Sequence, residues 1–183
     1  MPKSRLRTTV RDMVLSLAAI GVPIALVFAI EPSKPGDPVH VIDTASFQST
    51  LGAARQSEPF TVLAPAGLPS SWRLTSADYQ LAGDTAAVWH VGYLTPSGGY
   101  VSLEQTTQSV NGYLADQHAD AALAGTAQIG GTTPATWQRY TGTTPSALRT
   151  MLVSVDGKVN VLVTGSAPLA ELEQFAAALR ASS

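Results

Sequence analysis

The chain has 183 residues, with 11 lysines and arginines against 13 aspartates and glutamates, and no cysteine. That length holds one ordinary domain plus a tail rather than two large domains. The missing cysteine excludes disulfides, thiolate nucleophiles and cysteine-bound zinc, and leaves the redox compartment open.

The formal charge of −2 hides an uneven distribution. Residues 1–12 carry Lys3, Arg5, Arg7 and Arg11 against Asp12, a net of +3, while residues 31–183 are net −5. A basic head on an acidic body indicates two compartments. The acidic body argues against nucleic acid, which selects clustered lysine and arginine.

Residues 13–30, MVLSLAAIGVPIALVFAI, contain no charge. As a helix they span about 27 Å, just enough for a hydrocarbon core of about 30 Å. Gly21 and Pro23 sit in the middle, where a membrane helix tolerates them better than a soluble one does. The flanking arginines predict a cytoplasmic N-terminus and an extracytoplasmic remainder. The competing reading is a signal peptide cleaved after Val27-Phe28-Ala29, although the apolar run exceeds the roughly 7–15 residues of a signal core. Both readings put the rest of the chain outside the cytoplasm. The expected layout is a basic leader over 1–12, a transmembrane anchor over 13–30, a stalk over 31–38 and an extracytoplasmic domain over 39–183. The stalk reads EPSKPGDP, in which three prolines and a glycine stop any helix.

Within the outer domain, residues 43–56 read as a helix capped by Asp43 or Thr44, with Phe47, Leu51 and Ala54 on one face. Residues 60–64 read as a short strand, and PAGLPSSW as a turn. Residues 72–81 alternate, with Trp72, Leu74, Ser76, Asp78 and Gln80 on one side, and read as a strand. Strands are expected over 86–95 and 99–107 around TPSGG. A helix is expected over 109–123, capped by Ser109 and with Gly125 beyond its end. Short strands over 126–129 and 134–141 follow. SALRTMLVSV and KVNVLVTGS form a hairpin around Asp156-Gly157. A last helix over 168–180 presents Leu172, Phe175, Ala176 and Leu179. Hairpins separated by helices predict an α+β domain: an antiparallel β-sheet with about three helices covering one face, preceded by one N-terminal transmembrane helix.

The stretch AAVWHVGYLTPSGGYVSLEQT fixes its own register. With a loop over 95–99, Tyr93 faces Val101, Val91 faces Leu103 and Trp89 faces Gln105, which is the apolar side. Gly92 faces Ser102, His90 faces Glu104 and Val88 faces Thr106, which is the polar side. A one-residue slip would mix the two sets.

His90 opposite Glu104 is the candidate polar pair. A carboxylate beside an imidazole orients it or raises its pKa, which suits general base chemistry or pH sensing; a plain cross-strand pair on an open face is the structural account. No G-x-S-x-G or S-x-x-K supplies a nucleophile, and Ser102 has no strained elbow around it. Trp72, Trp89 and Trp137 are candidate ligand-lining aromatics, or buried core residues. His40, His90 and His118 are too scattered for a metal motif, and Asp116, His118 and Asp120 would not share a helix face. No metal and no cofactor is expected.

The apolar anchor, GLPSSW, WHVGYLTPSGGYVSLEQ and VTGSAPLAELEQFAAAL together resemble the single-pass actinobacterial membrane proteins grouped as a domain of unknown function. The likeness runs from Arg7 to Leu179. It implies no reaction and no catalytic residues. In layout alone the chain is also similar to extracytoplasmic sensor and lipoprotein-carrier-like domains, through the turn Leu68-Pro69-Ser70-Ser71-Trp72 and the strand-to-helix segment from Thr164 to Leu179. The resulting expectation is a membrane-anchored extracytoplasmic module that binds an envelope protein partner, with a carrier of lipid or another small apolar ligand as an alternative. A hydrolase using His90 and Glu104 is the rival from another class.

Overall fold

The computed structural model describes residues 41–81, 83, 85–132, 135–142, 150–156 and 159–181. The expected leader, anchor and stalk lie outside the described residues. Among the described residues no helix is long and apolar enough to cross a membrane.

The chain opens with helix α1 (Thr44–Ser57), then β1 (Leu63–Pro65), β2 (Arg73–Gln80), β3 (Val88–Leu94) and β4 (Tyr100–Thr106). Helix α2 (Val110–Gln117) leads to β5 (Ala121–Gln128), β6 (Thr136–Gly142), β7 (Thr150–Asp156) and β8 (Val159–Gly165). Helix α3 (Leu169–Ala178) and β9 (Leu179–Ala181) end the described chain. Seven strands form one sheet in the order β2-β3-β4-β8-β7-β6-β5, and β1 pairs with β9 in a separate ribbon. Every pairing is antiparallel. After β4 the chain passes through α2 to the far edge and returns by a meander whose last strand, β8, closes against β4.

The β3–β4 register is the one read from the alternation, with Trp89↔Gln105, His90↔Glu104 and Tyr93↔Val101. In the turn between the strands, the Thr95 N–H donates to the Gly99 carbonyl at 2.8 Å and the Gly98 N–H to the Thr95 carbonyl at 2.9 Å, with Gly98 at φ 80°.

The main core lies on the face of Trp89, Val91, Val101, Leu103, Leu152 and Val163. Helix α1 brings Phe47, Leu51 and Ala54 to it and is capped by Asp43, whose Oδ1 accepts from the Ser46 N–H at 2.9 Å. Helix α3 brings Leu172, Phe175 and Ala176. The Phe175 ring stacks on Trp72 at a centroid distance of 6.0 Å and meets Tyr93 at 5.6 Å.

Five expectations are corrected. The helices do not all cover one face: Tyr113 of α2 packs with Met151, Val153 and Leu162 in a second, smaller core on the other side. The helix expected over 109–123 ends at Gln117, and residues 121–123 belong to β5. AALAGTAQ suits a helix by propensity, but pairing along all of β6 overrides that preference. The helix expected over 168–180 ends at Ala178, and Leu179–Ala181 pair with Leu63–Pro65. That pairing also moves the expected strand at 60–64, because β1 finds its partner in β9 rather than in the sheet. Finally, the alternation read over 72–81 is broken by a register shift between Leu74 and Ser76. Leu74 faces the main core beside Tyr93, whereas Ser76 and Asp78 face the polar side beside Gly92 and His90. Around the hairpin at 156–157, Asp156 pairs with Val159, and residues 146–149, 157 and 158 lie outside the described residues.

Candidate functional site

Two places in the fold gather chemistry. The first is on the polar side of β2, β3 and β4. His90 stands in the middle of β3, opposite Glu104 on one side and Asp78 on the other. Its Nδ1 lies 3.6 Å from Glu104 Oε1, an ion-pair rather than a hydrogen-bond distance. Its Nε2 lies 3.0 Å from Ser76 Oγ and 3.3 Å from the Tyr100 hydroxyl, and those two oxygens are 3.5 Å apart. The Tyr113 hydroxyl donates to Glu104 Oε2 at 2.5 Å, linking α2 to the sheet.

Both members of the pair are partly covered, His90 at 26% and Glu104 at 20% side-chain exposure. Burial by itself would raise the Glu104 carboxyl. The interactions with His90 and Tyr113, and the charges of His90 and His118, overcome that and hold it below its ordinary value. An ionised Glu104 favours the His90 tautomer with its proton on Nδ1, leaving the Nε2 lone pair to accept from the nearer hydroxyl, that of Ser76.

Gly92 makes this convergence possible. A Cβ there would collide with the Tyr100 hydroxyl and with Ser76 Oγ. Its bare backbone leaves a notch in which side chains from β2 and β4 meet over β3. An adjoining cleft of about 260 Å³ is lined by His90, Tyr100, Ser102, Glu104, Tyr113 and Thr164, among others. Thr164 is buried, and its Oγ1 has no hydrogen-bond partner among the described residues.

Sequence reasoning placed His90 and Glu104 together but did not find Ser76, Tyr100 or Gly92. Ser76 was hidden by the bulge. Gly92, a glycine inside a strongly alternating strand, was the available signal for a close approach.

The second place is on the opposite face, between the sheet and the β1–β9 ribbon. A cleft of about 450 Å³ is lined by Phe60, Leu63, Trp137, Val161 and Leu179, with Gln105, Ser154 and Arg180 among its polar residues. Among the described residues Arg180 is the one charged residue lining it. Its Nη1 donates to the carbonyls of Ala177 and Leu179, both at 2.7 Å, which fixes the guanidinium at the end of α3.

The three candidate tryptophans are separated by the fold. Trp137 lines this cleft. Trp72 is packed on Phe175, and Trp89 is fully buried with its indole N–H donating to the Leu63 carbonyl at 2.8 Å. Among the described residues no group of three histidine, aspartate or glutamate side chains gathers to hold a metal ion.

This is an α+β domain built on a seven-stranded antiparallel sheet, with a polar cluster on one face and a cleft of mixed apolar and polar walls on the other. The chain belongs to the family described as "Protein of unknown function (DUF4245)", whose model matches residues 5–179. Among solved structures it is similar to MucB in complex with MucA(peri), at 17% identity and a TM-score of 0.38. That likeness covers 68% of this chain and 38% of the other. The Pseudomonas aeruginosa MucA/MucB complex is similar at 18% identity and a TM-score of 0.35, over 68% of this chain and 36% of the other. The chain thus spans well under half of the length of the proteins it resembles. No curated protein matches it.

Proposed function

We propose that the protein is a single-pass, membrane-anchored extracytoplasmic binding domain whose ligand is an anionic amphiphile held in the cleft beneath the β1–β9 ribbon. The observation that carries this reading is the cleft itself. Its volume of about 450 Å³ falls in the range of small-molecule sites, roughly 300–1,000 Å³. Phe60, Leu63, Trp137, Val161 and Leu179 give it an apolar stretch suited to an acyl chain. Arg180 supplies a positive charge fixed at one end, suited to a carboxylate or phosphate head. The net +3 leader and the uncharged run over 13–30 support the tether and its orientation.

A photoactivatable fatty acid added to membranes carrying the full-length chain tests the ligand. Crosslinks are expected on peptides holding Leu63, Trp137 and Val161, and Ser154→Trp, which fills the cleft, should abolish them. Crosslinking confined to residues 13–30, or unchanged in Ser154→Trp, would overturn the reading. Protease added to intact spheroplasts tests the orientation, with removal of everything beyond Pro38 as the expected result and a protected C-terminus as the contrary one. A mature protein beginning at Ile30 would replace the anchor by a cleaved signal.

A further inference from the structure

The polar cluster lies on the other face of the sheet from that cleft and stands independently of it. Ser76, His90 and Glu104 come from three adjacent strands, and each passes to the next through the imidazole: Ser76 Oγ to Nε2 at 3.0 Å, Nδ1 to Glu104 Oε1 at 3.6 Å. A nucleophile, a base and a group orienting the base are the parts that acyl transfer needs, and they are recognised by geometry rather than by sequence order. Looser spacing than a tight hydrogen bond is common before substrate binds.

We propose that Ser76 is a nucleophile for short-chain esters of polar alcohols, with His90 as its general base, Tyr100 as a donor to the oxyanion and Glu104 as the residue that positions His90. Ser76 Oγ bonds to the ester carbonyl carbon and its proton passes to His90 Nε2. The tetrahedral intermediate collapses, the bond to the alcohol oxygen breaks, and that oxygen takes the proton from Nε2. Water then attacks the acyl-serine and gives a proton to Nε2. The ester bond to Ser76 breaks, the acid leaves, and Nε2 returns the proton to Oγ. Ester and water become acid and alcohol with no other reactant.

Three observations favour a site over a chance polar network. Gly92 leaves out the one side-chain atom that would keep Ser76 and Tyr100 from converging. The Tyr100 hydroxyl, 3.5 Å from Ser76 Oγ, is placed to turn from Nε2 to a carbonyl oxygen bound at Ser76. The adjoining cleft of about 260 Å³ is lined by His90, Tyr100 and Glu104, which leaves room for a substrate beside the imidazole and the tyrosine hydroxyl. Its small size and polar walls set the substrate class. Large acyl chains are excluded by the same walls.

A fluorophosphonate probe on the full-length protein, followed by peptide mapping, tests the assignment. The expected adduct is on Ser76 and is lost in Ser76→Ala, a small change on a half-buried strand residue. His90→Ala should slow labelling by about 100-fold or more, the usual contribution of a general base; His90→Gln serves if the alanine variant fails to fold. Gly92→Ala, which keeps all four groups but forces the hydroxyls apart, should slow it as well. Tyr100→Phe should slow p-nitrophenyl acetate hydrolysis by about 100-fold, as loss of an oxyanion donor does. Glu104→Gln should slow labelling, and Glu104→Asp, which keeps a carboxylate beside the imidazole, should recover much of the rate; a merely structural glutamate would show no such recovery. No adduct at Ser76, an adduct forming as fast on exposed Ser71, or a rate indifferent to His90 would overturn the proposal.

Discussion

Gln105 holds Leu63: its Oε1 accepts from the Leu63 N–H at 2.6 Å, and its Nε2 donates to the Thr61 carbonyl at 3.1 Å. This polar residue sits on the apolar face of β4, opposite Trp89, whose indole N–H takes the Leu63 carbonyl. Two side chains of one cross-strand pair thereby satisfy the backbone of a segment that crosses the sheet outside its hydrogen-bond ladder. Gln105→Leu would leave the Leu63 N–H and the Thr61 carbonyl without those partners. It should cost about 1–3 kcal/mol for each group left unsatisfied. Urea unfolding that shifts by less than about 1 kcal/mol would mean that the ribbon does not depend on this clamp.

Glu104 predicts acid sensitivity. Its folded carboxyl lies below its ordinary value of 4.5, so folding gains stability above the unfolded value and loses it as pH falls through the folded one. Stability should therefore drop on acidification below about pH 4.5, and Glu104→Gln should flatten that part of the curve. Tyr113→Phe should weaken the same dependence by removing one hydrogen bond to the carboxylate. Parallel stability curves for wild type and Glu104→Gln below pH 4.5 would exclude the linkage.

Glu58 has the opposite sign. It follows α1, is 9% exposed, and neither carboxylate oxygen has a hydrogen-bond partner among the described residues. Burial pushes its carboxyl up, so its contribution favours folding below its unfolded value and is lost as pH rises through the folded one. Glu58→Gln should raise stability at pH 7, with the gain disappearing in acid. A loss at pH 7 would indicate that the carboxylate has a partner in solution.

The sheet's centre was legible because its alternation is strong. Trp89, Val91, Tyr93, Val101 and Leu103 admit one register, and the polar set of Val88, His90, Gly92, Ser102, Glu104 and Thr106 follows from it. The α1 cap and its Phe47, Leu51 and Ala54 face were equally clear. What escaped was decided by distant partners. Leu179–Ala181 read as a helix end until β1 is known to lie alongside. Residues 121–123 read as helix because alanine favours one. The bulge after Leu74 concealed Ser76, since an alternation rule carries no sign of an extra residue. The polar cluster was thus half visible: its base and carboxylate pair across one hairpin, while its hydroxyls arrive from neighbouring positions that only the bulge and Gly92 bring close.

Phe175 should be among the most costly residues to truncate. It is fully buried between Trp72 and Tyr93, and these three rings join α3 to the turn before β2 and to β3. Phe175→Ala should destabilise by about 3–5 kcal/mol, from lost burial and the cavity left behind. A loss below about 1 kcal/mol would remove α3 from the cooperative core.

Two glycine-to-alanine changes should have opposite signs. Gly165 ends β8 beside β4, and a Cβ there would strike the Tyr100 carbonyl and Val101 Cα, which are backbone atoms with no rotamer to yield. Gly165→Ala must separate the two central strands or twist their ends, and about 1–3 kcal/mol is the usual cost of such overpacking. Gly52 lies inside α1, where an added Cβ meets nothing within 4 Å. Alanine there removes the entropic penalty of glycine in a helix, so Gly52→Ala should stabilise by about 0.5–1 kcal/mol. Thermal unfolding of both variants decides the matter. A tolerated Gly165→Ala would contradict the close approach of β4 and β8 at this point, and a destabilising Gly52→Ala would mean that something covers the outer surface of α1.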